Sequence, residues 1–340
     1  MASSVTCAAA DCSRTFFYPP STLTGNAVLL AFFATLIPIA LALGAKYRSL
    51  GFATAIAMGL VLEVVGYVGR LLLHSRPDSR AGFALFLVGT TLGSTCVSGA
   101  MFLVVPRIVA VYGKEYHSWR PVWYLTLFSV LTVVALILEF AGSVLLTIQD
   151  APTLVNIGAR ILVVGLAVQL VALIIFVIHA TLFAIALRTR QHSLDPKFSY
   201  VYTSNLFKIT ILMFSVAAAL VILRTAYRIL EVAEGFRSSI AQAEVLFMVL
   251  DGAAMLIAII LLLAFFPARA LGQSWSETSI RQLSRQTRRM TRPEPARLLI
   301  SRPNLVHDQM SMKSQTNSYS PRRTNYTAPQ RDMVDSDNLW

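Results

Sequence analysis

Leu223-Arg-Thr-Ala-Tyr-Arg-Ile-Leu-Glu-Val-Ala-Glu-Gly235 and, after a polar connection, Glu244-Val-Leu-Phe-Met-Val-Leu-Asp-Gly-Ala-Ala-Met255 place ionisable residues inside two otherwise apolar runs. On a helix, Arg224, Arg228 and Glu231 lie at i, i+4 and i+7, so they project from one face. The second run predicts a similar stripe at i, i+7 and i+11, formed by Glu244, Asp251 and Met255. A charge near the centre of a bilayer costs about 3 kcal/mol. We therefore expect both stripes to face protein partners or water.

The composition indicates an integral membrane protein. Of the 340 residues, 56% are hydrophobic and only 14% are charged, and the mean hydropathy is +0.64. These values are too apolar for an ordinary soluble domain. Lys and Arg outnumber Asp and Glu by 29 to 17, but 12 of the 29 lie after Phe266. Membrane topology explains this basic excess better than a nucleic-acid partner does, so no nucleic-acid ligand is expected.

Seven apolar stretches each have about the 20 residues that a helix needs to cross the hydrocarbon core. They cover residues 27–45, 51–69, 82–104, 122–146, 158–187, 206–227 and 245–266. Lipid cannot satisfy the polar groups of an open backbone, so all seven are predicted to be helices. The predicted fold is an all-α, seven-transmembrane-helix bundle over residues 26–267. An N-terminal segment, 1–25, precedes it and a tail, 268–340, follows it.

Basic residues near the helix ends predict that the N-terminus is outside and the C-terminus inside. In this orientation the basic residues of the short inner connections are Lys46, Arg48, Arg107, Lys114, Arg120, Arg188, Arg190 and Lys197. The outer stretch 150–157 has none, whereas Arg70, Arg76 and Arg80 oppose the trend, so the positive-inside rule is met in sum. With the N-terminus outside, a disulfide between Cys7 and Cys12 is one open alternative.

The tail, 268–340, is rich in Ser, Arg, Pro, Asn and Gln and is predicted to be a disordered cytosolic segment. Five of its arginines are clustered: Arg281, Arg285, Arg288, Arg289 and Arg292. Such a cluster suits anionic inner-leaflet lipids, and phosphorylation of nearby serines would weaken the attraction. The alternative is a solvated tail that only sets the topology.

Most of the ionisable residues within the predicted helices belong to the outer half of the bundle. On the second helix Glu63, Gly66, Tyr67 and Arg70 lie on one face, and the glycine permits close approach of a neighbour. The fourth helix adds Glu139 and the fifth adds Gln169, whereas Arg224, Arg228, Glu231 and Asp251 lie near the outer ends of the last two helices. We therefore expect a polar, water-accessible cavity that opens outward between helices two, four, five, six and seven.

A structural role for these residues is the simpler alternative. Ion pairs between Glu63 and Arg70, or between Arg224 or Arg228 and Glu231 or Asp251, would hold helices together, although interhelical polar contacts contribute only about 0.6 kcal/mol on average. The specific prediction is that Arg224 or Arg228 pairs with Asp251 or Glu63.

Enzyme functions are not expected. A metal-dependent membrane hydrolase needs several converging ligands, but His179 is the only histidine well inside a predicted helix. The seventh helix has no lysine for a retinal Schiff base, and the chain has no glycine-rich nucleotide loop. No catalytic residue, metal or cofactor is predicted.

Several motifs together resemble one family. They are Glu63-Val-Val-Gly66-Tyr67-Val-Gly-Arg70, the series Gly158, Gly165, Gln169 and Phe176, the stretch Arg224-Thr-Ala-Tyr227-Arg228-Ile-Leu-Glu231 with Gly235, and the series Glu244, Asp251, Met255 and Pro267. Over residues 20–268 the chain is similar to the fungal RTA-like proteins, or lipid-translocating exporter family. The chain departs from the family pattern at Ser94-Thr95-Cys96, where a proline is usual, at Thr132, where an aspartate is usual, and at Glu139, where a glutamine is usual.

The resemblance implies a translocator or exporter of amphiphilic lipids, such as sphingoid long-chain bases or sterol-like toxic amphiphiles, that confers stress or drug resistance at the plasma membrane. In another member the family function is porphyrin or haem movement. A seven-helix lipid sensor or receptor that signals through its tail is the alternative, as is a structural membrane protein without a ligand. The oligomeric state is left open.

The charge count suggests which residues recognise the ligand. Three bases, Arg70, Arg224 and Arg228, neutralise only three of the acids Glu63, Glu139, Glu231, Glu244 and Asp251. We expect a cationic amphiphile to bind chiefly Glu139 and Asp251, with Glu63 and Gln169 as supporting contacts. Glu139 has no basic residue on its own helix face, so it is the predicted unpaired acid.

Overall fold

All seven predicted helices are present in the computed structural model, which describes residues 22–112, 121–148, 152–189, 204–236, 238–272 and 275. They are α1 (Leu23–Lys46), α2 (Leu50–Ser75), α3 (Arg80–Phe102), α4 (Pro121–Leu146), α5 (Pro152–Thr189), α6 (Asn205–Glu234) and α7, which consists of Glu244–Phe247, the π-helical turn Met248–Ala253 and Ala254–Ala264. Short helices follow α3, α6 and α7 at Val105–Tyr112, Ser239–Gln242 and Pro267–Leu271. Each of the seven is long and apolar enough to cross a membrane.

Local sequence signals determine several helix ends. The Ser79 hydroxyl caps α3 by accepting a 3.1 Å hydrogen bond from the backbone N–H of Gly82. Pro152 begins α5, where a proline loses no helical hydrogen bond. Gly235 follows α6 with φ at 87°, a value that glycine adopts without steric cost. Helix α6 therefore extends seven residues beyond its predicted end at residue 227 and includes both Arg228 and Glu231.

The seven helices form a closed ring in chain order, and α3 lies on its inner side. Each helix contacts the next along the chain, and α7 also contacts α1. Helix α3 contacts α2, α4, α5 and α6. The membrane span that begins with α3, Arg80–Ile108, is more buried than any of the other six. We call the end of the bundle where α1 begins the proximal end, and the end where α1 finishes the distal end.

Large apolar side chains cover much of the outer surface, while polar side chains lie inside. Val130, Val133 and Ile137 of α4, and Val164 and Val171 of α5, are exposed. The buried polar side chains include five on α3 alone, namely Thr90, Thr91, Ser94, Thr95 and Ser98. This distribution is what a hydrocarbon solvent favours, because apolar surface loses nothing there and polar groups need partners inside.

Glycine permits α2 and α3 to approach within backbone contact. A Cβ atom added to Gly89 of α3 would lie 2.4 Å from the backbone nitrogen of Gly66 on α2. A Cβ atom added to Gly66 would in turn lie 2.8 Å from the backbone nitrogen of Thr90. Small residues at such crossings permit the dense packing that holds membrane helices together. The close approach predicted for Gly66 is confirmed, and its partner is α3.

The packed region extends beyond the predicted end of the helical domain at residue 267. Ala268, Leu271 and Trp275 are buried against the core, so these residues do not belong to a disordered tail. They pack because the short helix Pro267–Leu271 turns its apolar residues toward the bundle. The remaining tail, with its arginine cluster, and the segment 1–21, with Cys7 and Cys12, lie outside the described residues. The orientation in the membrane stays a prediction.

Candidate functional site

Arg224, Arg228 and Glu231 of α6 share one face, as predicted, and are completely buried. The guanidinium nitrogens Nε of Arg224 and Arg228 lie 3.1 Å and 2.9 Å from the same atom, Oδ1 of Asp251 on α7. These contacts have ion-pair distances but are not aligned as hydrogen bonds. Glu231 accepts a 2.7 Å hydrogen bond from Nη1 of Arg228. One carboxylate oxygen thus bridges two arginines that would otherwise repel each other across one helical turn.

Helices α2 and α3 complete the contacts of the two arginines. Arg224 Nη2 lies 3.2 Å from Oε1 of Glu63 and donates a 2.6 Å hydrogen bond to the backbone carbonyl of Thr90. Arg228 Nη2 donates to the hydroxyl of Thr90. The predicted pairing of Arg224 or Arg228 with Asp251 or Glu63 is therefore confirmed. The carboxyl group of Glu63 forms its ion pair with Arg224 of another helix, across the bundle, rather than locally.

Arg70 lies next to these groups and shares two aromatic rings with Arg228. Its guanidinium carbon is 5.0 Å from the centre of the Phe86 ring and 3.8 Å from that of Phe247. The guanidinium carbon of Arg228 is 4.9 Å and 5.6 Å from the same rings. Such cation–π contacts stabilise a cation where water is excluded. We call Glu63, Arg70, Arg224, Arg228, Glu231 and Asp251 the ionic cluster, in which three acids balance three bases.

A π-helical turn in α7 positions Asp251. In Met248–Ala253 each turn contains an additional residue compared with an α-helix, so the side chains beyond it are rotated relative to those before it. As a result Glu244 does not join Asp251. Its Oε1 accepts hydrogen bonds from the start of α1: from the hydroxyl of Thr22, which precedes the helix, at 2.9 Å and from Nδ2 of Asn26 at 3.3 Å. The predicted stripe of Glu244, Asp251 and Met255 is therefore wrong for Glu244.

Tyr67 lies beside the ionic cluster. Its ring stacks on Phe33 at 5.4 Å between centres, and its hydroxyl lies so near Gly252 that a Cβ atom there would be 2.7 Å away. The hydroxyl is buried and has no hydrogen-bond partner among the described residues, and the same holds for Oδ2 of Asp251. Buried polar atoms are ordinarily satisfied, so these two atoms retain hydrogen-bonding capacity for a further polar group.

Glu139 and Gln169 form a second polar group, deeper in the bundle. Oε2 of Glu139 accepts a 2.6 Å hydrogen bond from the hydroxyl of Thr95, and Nε2 of Gln169 donates a 3.0 Å hydrogen bond to the hydroxyl of Ser98. Oε1 of each side chain is buried without a partner among the described residues. The structure does not bring these two residues into the ionic cluster. Each instead contacts α3.

Helix α3 is the part of the site that the sequence interpretation left out. Thr90 contacts both arginines, a Cβ atom on Gly93 would lie 3.0 Å from Oε1 of Glu63, and Thr95 and Ser98 bind Glu139 and Gln169. The available signal was the run of small and hydroxyl residues at 89–99, which lowers the hydropathy of this span to 1.6, the lowest of the seven. Hydroxyl residues of this kind hydrogen-bond across membrane helices.

The site is closed instead of forming an open cavity. Seven side chains of the site are at most 2% exposed, namely Glu63, Glu139, Gln169, Arg224, Arg228, Glu231 and Asp251. The predicted water-accessible cavity is therefore wrong for this conformation, because the opposite charges satisfy one another and the helices close over them. Within the described residues, no group of three His, Cys, Asp or Glu side chains is arranged to hold a metal ion.

Seven long apolar helices around buried polar side chains are the arrangement of a multi-pass membrane protein. Residues 56–274 match the family model described as RTA1 like protein, so the chain belongs to the RTA1-like family. This result confirms the resemblance drawn from the motifs.

Several curated proteins of Saccharomyces cerevisiae are similar to the chain. The sphingoid long-chain base transporter RSB1 is 25% identical over 259 residues, which cover 67% of this chain and 68% of the relative. Protoporphyrin uptake protein 1 is 25% identical over 206 residues, covering 59% and 64%, respectively. Protein RTM1 is 24% identical over 228 residues, covering 65% and 71%. No solved structure matches the chain.

Proposed function

We propose that this protein is a membrane translocator of amphiphilic lipids that carry an amine, of the sphingoid long-chain base class. The proposal includes a role at the plasma membrane, tolerance to toxic amphiphiles and no catalytic step. Its support comes from membership of the RTA1-like family, from the name of the relative RSB1 and from the polar groups inside the bundle.

The observation that carries the proposal is the state of Glu139. Its side chain is fully buried, yet only one of its two oxygens has a hydrogen-bond partner among the described residues. Arg224 and Arg228 of the ionic cluster are already paired with its three acids, Glu63, Glu231 and Asp251. A carboxylate without a basic partner in a low-dielectric interior favours a cationic ligand, because each would remove the other's desolvation penalty. A protonated amine is such a ligand.

The polar face of α3 provides a route for the head group. Thr90, Thr95 and Ser98 extend from the ionic cluster past Glu139 to Gln169, over roughly 12 Å at 1.5 Å per residue. A head group moving along this face would exchange hydrogen bonds with hydroxyl groups while its hydrocarbon tail stays in lipid. Because the site is closed, movement requires the helices around α3 to separate and close again.

Reconstitution into vesicles tests the proposal. The full-length protein and Glu139→Gln are compared for movement of a fluorescent long-chain base with a free amine and of its N-acetylated, uncharged analogue. Loss of one charge-assisted hydrogen bond predicts about tenfold slower movement of the amine, with little change for the analogue. Glu234→Gln is the matched control, since Glu234 is an exposed acid at the end of α6.

Three results would contradict the proposal. If Glu139→Gln moves the amine as fast as the parent at equal protein amounts, the acid has no role in recognition. If the amine binds saturably to the parent and to Glu139→Gln but crosses the bilayer with neither, the protein is a sensor. Transport of the acidic protoporphyrin in preference to the amine would assign the site to anionic ligands, for which the arginines of the ionic cluster are the natural partners.

A further inference from the structure

A basic pocket lies at the distal end of the bundle, opposite the ionic cluster. It has a volume of about 550 Å³ and is lined by Lys46, Tyr47, Arg48, Arg107, Ala268, Arg269, Gly272 and Trp275. The cations come from three separate connections: the α1–α2 turn, the short helix after α3 and the short helix after α7. None of the described lining residues is acidic. Four like charges around one cavity repel each other unless an anion lies between them.

Arg107 is held in place by Trp275. Its guanidinium carbon is 3.5 Å from the centre of a Trp275 ring, and its Nη1 donates a 3.4 Å hydrogen bond to the Trp275 carbonyl. Trp275 is itself only 5% exposed. The Nε atom of Arg107 is buried and has no hydrogen-bond partner among the described residues. The side chain is thus fixed in position while part of its donor capacity is left for a ligand.

The other cations surround this fixed arginine. Lys46 ends α1 and lies 5.5 Å over the Tyr47 ring. Arg48 has φ at 51°, in the left-handed region that a residue with a side chain seldom adopts. A glycine or asparagine would fit that turn more easily, so Arg48 occupies it at a conformational cost, and residues in such conformations cluster at binding sites. Arg269 is exposed at the rim.

We propose that this pocket binds a phosphate-bearing anion, in the form of the head group of an anionic phospholipid. Its volume falls in the range of small-molecule sites, and basic pockets between helix ends at a membrane surface suit phosphate head groups. Arginine forks bind phosphate oxygens in pairs. Tyr47 and Trp275, which both line the pocket, are of the types enriched at the membrane–water interface, where such head groups lie. The pocket is separate from the proposed amine site and involves none of its residues.

Lipid binding to the full-length chain tests this site. In one arm the protein is reconstituted in phosphatidylcholine vesicles with and without phosphatidylinositol 4,5-bisphosphate, and retained lipid is measured by native mass spectrometry. In the other arm, neutral vesicles receive inositol trisphosphate or inorganic phosphate. To remove diffuse attraction by the tail, all variants carry Gln at Arg281, Arg285, Arg288, Arg289 and Arg292. If the lipid is retained and the soluble phosphates do not bind, the site belongs to a membrane lipid. If the soluble phosphates bind as well as the lipid does, the site belongs to a free anion.

Substitutions distinguish binding in the pocket from nonspecific attraction of anionic lipids to basic residues elsewhere on the protein. Arg107→Gln and the exposed Arg269→Gln are each expected to weaken binding about tenfold. The matched control is Arg160→Gln, which removes an exposed arginine from α5 near the proximal end and is expected to bind like the parent. Arg269→Gln keeps the test decisive if Arg107→Gln fails to fold. Equal binding by the parent and Arg269→Gln, or equal loss in Arg160→Gln, would overturn the proposal.

Discussion

Oδ1 of Asp251 lies between two guanidinium groups on adjacent turns of α6. If Asp251 is replaced by Asn, each arginine retains one carboxylate, Glu63 for Arg224 and Glu231 for Arg228. The remaining pairs limit the loss, so Asp251→Asn is expected to destabilise the fold by about 1–2 kcal/mol, near the upper end of measured polar contacts between membrane helices. Thermal unfolding in detergent measures this loss.

A double-mutant cycle with Arg224→Gln isolates the pair. Removing both charges takes away one acid and one base together, although Glu63 also loses its ion pair with Arg224. The double variant is therefore expected to be more stable than the sum of the single losses by about 1 kcal/mol. Strict additivity of the two changes would show that Asp251 and Arg224 do not interact.

The Tyr67 hydroxyl gives a second prediction at the level of single residues. Because it is buried without a hydrogen-bond partner among the described residues, Tyr67→Phe is expected to leave the unfolding free energy unchanged or raise it by up to about 1 kcal/mol. Transport of the amine-bearing base is expected to fall, since the hydroxyl beside Asp251 is available to a head group. A marked loss of stability would instead mean that the hydroxyl has a structural partner.

Among the helices, the crossing of α2 and α3 is the most restrictive contact. A methyl group on Gly89 would lie 2.4 Å from the backbone nitrogen of Gly66, and a backbone atom cannot move aside as a flexible side chain does. Gly89→Ala is therefore expected to cost about 2–3 kcal/mol, or to prevent folding. Gly51→Ala is the control, since a methyl group there meets no atom within 4 Å. Size-exclusion chromatography and thermal unfolding compare the two, and equal behaviour would contradict the close crossing.

The helices differ in how well the sequence predicts them. Hydropathy identifies all seven, because apolar length is a local property. The shared face of Arg224, Arg228 and Glu231 is also predictable, since α6 is a regular helix across these residues. The spacing of a regular α-helix wrongly places Glu244 on the same face as Asp251, because the π-helical turn changes the rotation between the two residues. The sequence of α7 contains no local marker that we can relate to this turn.

The central position of α3 could not be deduced from charge, because it contributes hydroxyl groups and glycines to the site rather than ions. Likewise the closed state of the site depends on which acids and bases meet across helices. Glu63 and Arg224 are 161 residues apart in the chain, so their contact is a property of packing that helix periodicity does not specify.

At the scale of the whole molecule, the two ends of the bundle differ in chemistry, and the predicted orientation says which end faces outward. Asp78 is exposed in the proximal α2–α3 turn, and Arg48 is exposed in the distal α1–α2 turn. In a chain with Cys7, Cys12 and Cys96 changed to Ser, a membrane-impermeant thiol reagent applied to intact cells should label Asp78→Cys and spare Arg48→Cys, because basic connections are retained in the cytosol. After permeabilisation both should react. The reverse pattern would place the basic pocket outside, away from the anionic cytoplasmic leaflet, and the amine site nearer the cytosol.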